Sequence, residues 1–168
     1  VPAIGKLPDI SALSSIRYKL KIPEDTNFDL DQDRQTYQDN ILVINKENVL
    51  SKDVKVCSGN NNALRSTPYI QSDSPYILRQ AKSIVNNVTN DLEKVKALKQ
   101  WVYKNLDKKP VLSIPDAVST LRSKVGDCNE HAALFAALSR SLSIPTRVVA
   151  GVTYHEGTFY YHAWNEVC

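Results

Sequence analysis

Methionine is absent from this chain, cysteine occurs three times, histidine three times and tryptophan twice in 168 residues. Three cysteines with no Cys-x-x-Cys pair make neither a dense disulfide framework nor the four-ligand cluster of a structural zinc site. Charge of one sign is also in short supply. A net charge of +3 is too small to argue for nucleic acid, and the lysines from Lys94 to Lys109 alternate with Asp91, Glu93 and Asp107 as on a solvated helix face. No apolar run approaches the roughly 18 residues of a membrane span. The lack of methionine, with a start at Val1-Pro2, reads as a processed or cut chain from which an export signal could have been removed. Internal repeats and low-complexity tracts are missing as well.

What remains is a globular composition, 42% hydrophobic and 23% charged, long enough for one ordinary domain with part of a second. Residues 1–62 read as a β-rich N-terminal segment. Ile16, Tyr18, Leu20 and Ile22 alternate with Arg17, Lys19 and Lys21 at the period of a half-buried strand. Asn40 to Asn45, with Ile41-Leu42-Val43-Ile44 within it, makes a short second strand, residues 25–33 between them are turn-like, and Ser58-Gly59-Asn60-Asn61-Asn62 reads as a linker.

Residues 63–168 change period. Ser74-Pro75 starts a helix with Ile77, Ala81, Ile84, Val85 and Val88 on one face. Asn90 and Glu93 suit a capping box for a second helix, whose apolar face is Leu92, Val95, Leu98, Val102 and Leu106 and which Pro110 ends. Pro115 opens a short third helix. A fourth begins at Asp127, and its stretch Ala132 to Leu138 is apolar all round, as a helix buried on every side requires. Arg147 to Tyr154 and Thr158 to Val167 form a hairpin turning at His155-Glu156-Gly157. Helices followed by an antiparallel hairpin predict an α+β fold, with the buried central helix packed on an antiparallel sheet.

The chemistry concentrates in two short segments. Asp127 is placed to cap the fourth helix with Glu130 as the other half of a capping box, which puts Cys128 in the first turn. Unpaired N–H groups and the positive end of the helix dipole there stabilise a thiolate, and the same N–H groups can donate to an oxyanion. Gly126 is expected to allow a tight turn and close substrate approach. A nucleophilic thiol needs a group to hold or move its proton. His162 is the best placed, on a strand face shared with Tyr160 and Trp164. His131 reads as a wall of the site or a packing histidine, Trp101 and Trp164 as walls or oxyanion donors, and His155 as solvated. A lone buried cysteine is usually a small hydrophobe and a lone histidine a packing residue. The pair, the cap and the enclosed helix together favour nucleophile and base. A zinc site of Cys128, His131 and His162 is the rival, at a permitted spacing but without a fourth protein ligand. No metal and no cofactor is expected.

Gly126-Asp127-Cys128-Asn129-Glu130-His131, the helix Ala132 to Ser143, Ile144-Pro145-Thr146-Arg147-Val148-Val149-Ala150-Gly151 and Tyr161-His162-Ala163-Trp164-Asn165-Glu166-Val167 resemble the core of the bacterial transglutaminase-like family over about residues 75–167. Trp101 to Leu106 resembles the helix that precedes the cysteine in that family, and the N-terminal strands resemble the β-rich part of its envelope-associated members. The resemblance implies a papain-like core with a Cys–His–Asp triad, Cys128 as nucleophile and His162 as base. The implied aspartate follows on a further strand, so the C-terminal strands are expected to be truncated at Cys168, which stands where an aromatic is usual. It further implies a cysteine-dependent enzyme acting on amide bonds of a protein or peptide through a thioester, as peptidase, deamidase or acyl transferase, in the periplasm or secreted. A non-catalytic binding or scaffold module on the same fold is the alternative. Cys57 and Cys168 can pair in an oxidising compartment or remain unpaired.

Overall fold

The computed structural model describes residues 9, 12–23, 25–26, 28–31, 34–46, 61–112 and 114–168, in two compact units divided between residues 54 and 55. The first unit is a three-stranded antiparallel sheet of β1 (Ser15–Lys19), β2 (Gln35–Gln38) and β3 (Ile41–Asn45), in the order β1-β3-β2. Ile16 and Tyr18 are half-buried and Arg17 and Lys19 exposed, as the alternation requires. The strand stops at Lys19, short of Ile22, and the Leu20 N–H turns to the Asn40 carbonyl at 2.8 Å. β2 was not expected, because Gln35-Thr36-Tyr37-Gln38 lacks an apolar face. The hairpin is set by Asp39 and Asn40, whose φ values of 51° and 62° make the primed turn that matches strand twist.

In the second unit, residues 58–60 of the expected linker lie outside the described residues, and Asn61–Ala63 form one 3-10 turn. Helix α1 (Pro75–Ile84) starts on Ser74 with Pro75 at its first position, and buries Ile77 and Ala81. Helix α2 (Asp91–Asn105) is capped by Asn90, whose side chain accepts from the Glu93 N–H. Only that half of the expected box forms, since Glu93 Oε1 pairs with Lys96 at 2.8 Å. Leu92, expected in the core, is exposed: it sits in the first turn, a full turn beyond the buried stripe of Leu98 and Val102.

Helix α2 ends at Asn105 rather than at Pro110. Asp107–Lys108 instead form β4, which pairs in parallel with β5 (Val125–Gly126) on either side of α3 (Ala117–Ser123). Helix α3 starts two residues after Pro115, with Asp116 accepting from the Ser119 N–H at 2.9 Å, and closes on Lys124 at φ 57°.

Helix α4 (Cys128–Ser141) is the centre of this unit. Every residue from Ala132 to Ser139 is buried, and the helix packs on α1, α2, α3 and the hairpin of β6 (Thr146–His155) and β7 (Thr158–Val167). Leu134 and Leu138 on this helix and Leu98 on α2 are fully buried. Truncating a leucine so placed costs about 2–5 kcal/mol. Beyond Leu142 the chain turns back, and the Arg140 guanidinium donates twice to the Thr146 carbonyl, at 2.9 and 2.7 Å. The result is the expected α+β arrangement, a buried central helix carrying Cys128 against an antiparallel sheet.

Candidate active site

The start of α4 is built by its own sequence. The Asp127 carboxylate accepts from the Asn129 N–H at 3.0 Å, and the Asp127 N–H donates to Glu130 Oε2 at 3.0 Å, closing the capping box. Glu130 reaches back across Gly126, and a Cβ on Gly126 would collide with Glu130 Cβ. That contact, rather than a turn or a substrate, is what demands glycine here. Glu130 is 4% exposed. Burial pushes its carboxyl up, against the pull of the Asp127 N–H.

Cys128 therefore stands at the first helical position, partly exposed and with a free thiol. Its own N–H has no acceptor within the helix, as for every first-turn amide. His131 lies one turn on. Its Nδ1 is 2.6 Å from the Asp127 carbonyl, so Nδ1 carries the hydrogen and donates, and Nε2 is buried without a hydrogen-bond partner among the described residues. The ring is thus tied to its own helix start.

β7 brings the second group. In the hairpin register Gly151 faces His162, and Val149 faces Trp164. The rings of His162 and Trp164 stack at 6.3 Å between centroids and 22° between planes. Trp164 lies over Gly151: a Cβ there would stand 2.7 Å from Trp164 Cη2 and 3.1 Å from Cζ3. The lack of a side chain at Gly151 therefore makes room for the indole that flanks the imidazole. The Trp164 Nε1–H is buried and unpaired among the described residues. Asn165 ties the strand to α4, its Nδ2 donating to the Ala132 carbonyl at 3.0 Å.

Cys128, His131, His162 and Trp164 line a single cavity of about 730 Å³, together with Asp127, Asn165 and an apolar floor of Val95, Val102, Phe135 and Val167. No hydrogen bond joins the Cys128 thiol to either ring among the described residues, and His162 has only Trp164 as a ring partner there. Trp101 is not brought to the cavity. It packs on the core, and the Lys124 ammonium lies 4.0 Å from the centre of its ring. His155, at the end of β6, is exposed. Cys128, His131 and His162 share the cavity, yet among the described residues no three histidine, cysteine or acidic side chains are grouped so as to hold a metal ion. Cys168 is held in a disulfide, while Cys57, the other half of the expected pairing, lies outside the described residues.

Gly151, Tyr161 and Asn129 stand in the segments that carry the family resemblance, but sequence reasoning gave them no role of their own. The Tyr161 hydroxyl donates to Asn129 Oδ1 at 3.2 Å, linking the neighbour of His162 to the neighbour of Cys128. Lys99, Lys108 and Lys109 were read as part of a solvated helix face, whereas they stand at the rim of the cavity, Lys108 and Lys109 beyond the end of α2. Only the glycine carried a usable signal, since an interior strand glycine marks a close approach.

Comparison with known proteins agrees with this geometry. No curated protein matches the chain. Among solved structures, a candidate cysteine protease from Cytophaga hutchinsonii aligns with 27% identity and a TM-score of 0.58, over 66% of this chain and 39% of that one. The periplasmic domain of TgpA from Pseudomonas aeruginosa aligns with 18% identity and a TM-score of 0.51, over 92% of this chain and 58% of that domain, and so shares its fold. The chain thus spans less than two thirds of the length of either matched chain. The family model of the transglutaminase-like superfamily matches residues 79–168, the stretch that holds the cysteine helix and the histidine strand, and the chain belongs to that superfamily.

Proposed function

We propose that the chain forms the core of a thiol enzyme acting on amide bonds, with Cys128 as nucleophile and His162 as base. The observation that carries this is one cavity receiving a first-turn cysteine from α4 and an indole-stacked histidine from β7. His162 takes the thiol proton, and Sγ attacks the amide carbon. The oxyanion so formed accepts from the Cys128 N–H, with the unpaired Trp164 Nε1–H as second donor. His162 returns the proton to the leaving nitrogen as the C–N bond breaks, leaving a thioester. Water or a second amine, deprotonated by His162, then attacks the thioester and releases the thiol. Hydrogen bonds between catalytic groups commonly tighten only around substrate, so this role for His162 does not require a standing thiol–imidazole bond. His131, its Nδ1 engaged at Asp127, walls the site.

The unit that carries this chemistry is residues 63–168, with residues 1–62 as an accessory β-rich segment. The substrate is a protein or peptide, and hydrolysis and transfer share every step up to the thioester. No helix among the described residues is long and apolar enough to cross a membrane. A periplasmic or secreted setting is supported by the disulfide at Cys168, since such bonds persist in oxidising compartments. The fold shared with a periplasmic domain points the same way.

The test is the rate of Cys128 alkylation by iodoacetamide against pH, read by mass spectrometry. Alkylation of Cys128 that is fast at neutral pH, and slowed in His162→Ala, is the expected result. A profile that His162→Ala leaves unchanged overturns the pairing and favours the binding-module alternative. The lack of a thiol–imidazole hydrogen bond among the described residues is the observation on that side.

A further inference from the structure

The cavity that holds Cys128 combines an apolar floor with a cationic rim. Val95, Lys99 and Val102 lie at i, i+4 and i+7 on α2, so Lys99 is the one charge carried by an otherwise apolar stripe. Lys99 has no ion pair among the described residues. Lys108, on β4, lies with its ammonium 4.1 Å from the centre of the Tyr103 ring, which restrains that charge at the rim. Lys109 is spent in part on Asp107, at 2.9 Å. Asp127 is the single acidic lining residue, and its carboxylate is committed to the Asn129 N–H. Three lysines against that one carboxylate leave the electrostatic balance of the cavity positive.

We propose that the cavity binds a peptide in which an acidic residue adjoins an apolar one. The apolar side chain lies on Val95, Val102 and Phe135, and the carboxylate is met by Lys99 and Lys108. The choice of a peptide rests on the thiol-enzyme reading of the cavity. The charge preference rests on the lysines alone.

The two are separated by a protection experiment on the purified chain. Cys128 is alkylated with iodoacetamide, a neutral reagent, in the presence of acetyl-Leu-Glu-amide or acetyl-Leu-Gln-amide. These peptides have nearly the same shape and differ in charge. At low salt the glutamate peptide is expected to halve the alkylation rate at a concentration lower by ~3-fold or more, the scale of an exposed ion pair. The difference vanishes at about 0.5 M salt, where the screening length is only a few ångströms. The double variant Lys99→Gln/Lys108→Gln is expected to lose the difference while the glutamine peptide still protects, each rate being taken relative to that of the same variant without peptide, and an unchanged melting temperature shows that the fold is intact. Equal protection by the two peptides, protection by neither, or a preference that survives in the double variant overturns the proposal. Alkylation needs only an accessible thiol. An ordinary pH profile at Cys128 would therefore remove the enzyme reading without altering this comparison.

Discussion

Tyr161 and Asn129 are joined by a hydrogen bond of 3.2 Å from the tyrosine hydroxyl to the asparagine Oδ1. Each is the chain neighbour of a proposed catalytic residue, so this bond fixes how far the histidine strand stands from the cysteine helix. Tyr161 is 61% exposed, which makes the bond cheap to lose thermodynamically. Tyr161→Phe is expected to lower stability by no more than about 1 kcal/mol. The pH profile of Cys128 alkylation should nevertheless move toward that of a free thiol. An unchanged profile would show that the Asn165 bond to Ala132 suffices to set the distance.

Gly151 and Trp164 make a second positional prediction. In Gly151→Ala the new methyl would stand 2.7 Å from the indole, so the ring must shift. A stability loss of about 1–3 kcal/mol is expected, the usual cost of overpacking. Trp164 fluorescence, read in a Trp101→Phe background, should change with it. Unaltered emission and melting temperature would mean the ring is free to move.

At Gly126 the neighbour is the stem of Glu130, close to the α4 backbone and unable to give way. Gly126→Ala should lose about 3 kcal/mol, at the upper end for inserted methyls. Adding Glu130→Ala should not restore stability, because the obstructing atom is Cβ itself. Recovery in the double variant would place the clash further out along the side chain.

Glu130 also sets a pH dependence. Burial raises its carboxyl above the ordinary 4.5, so the folded state binds that proton more tightly than the unfolded chain does. Its contribution is therefore full below the unfolded pKa and declines as pH rises through the folded value. Glu130→Gln keeps an oxygen for the Asp127 N–H and does not titrate. The melting temperature of the variant relative to the parent should rise between about pH 4 and about pH 7. A difference that stays flat over that range would mean the carboxyl titrates alike in both states.

Much of the candidate site was legible because its signals are local. The capping box of Asp127 and Glu130 set the start of α4 to the residue, and with it the position of Cys128. The alternation of β7 placed His162 and Trp164 on one face before any pairing was known, and the stacked rings bear that out. The missed features depend on partners distant in sequence. Helix α2 stops short of Pro110 because Asp107 and Lys108 pair with Val125 and Gly126, a two-residue parallel ladder without a sequence signature. Trp101 could have faced either way, and its packing on the core beside Lys124 followed from tertiary contacts. β2 escaped because polar residues on both of its faces show no period, although Asp39-Asn40 carried the turn.

The enclosure of α4 has a consequence for how the two halves of the site can meet. Eight consecutive residues of that helix are buried, Ala132 through Ser139, so sliding or tilting it would open voids on several sides at once. The hairpin of β6 and β7 has no strand paired to either outer edge among the described residues. The thiol is thus anchored on the element the core holds from every side, while the strand that carries the imidazole is tied to that element through Tyr161 and Asn165. The spacing of the two reacting groups is therefore set by two polar contacts laid over an apolar helix.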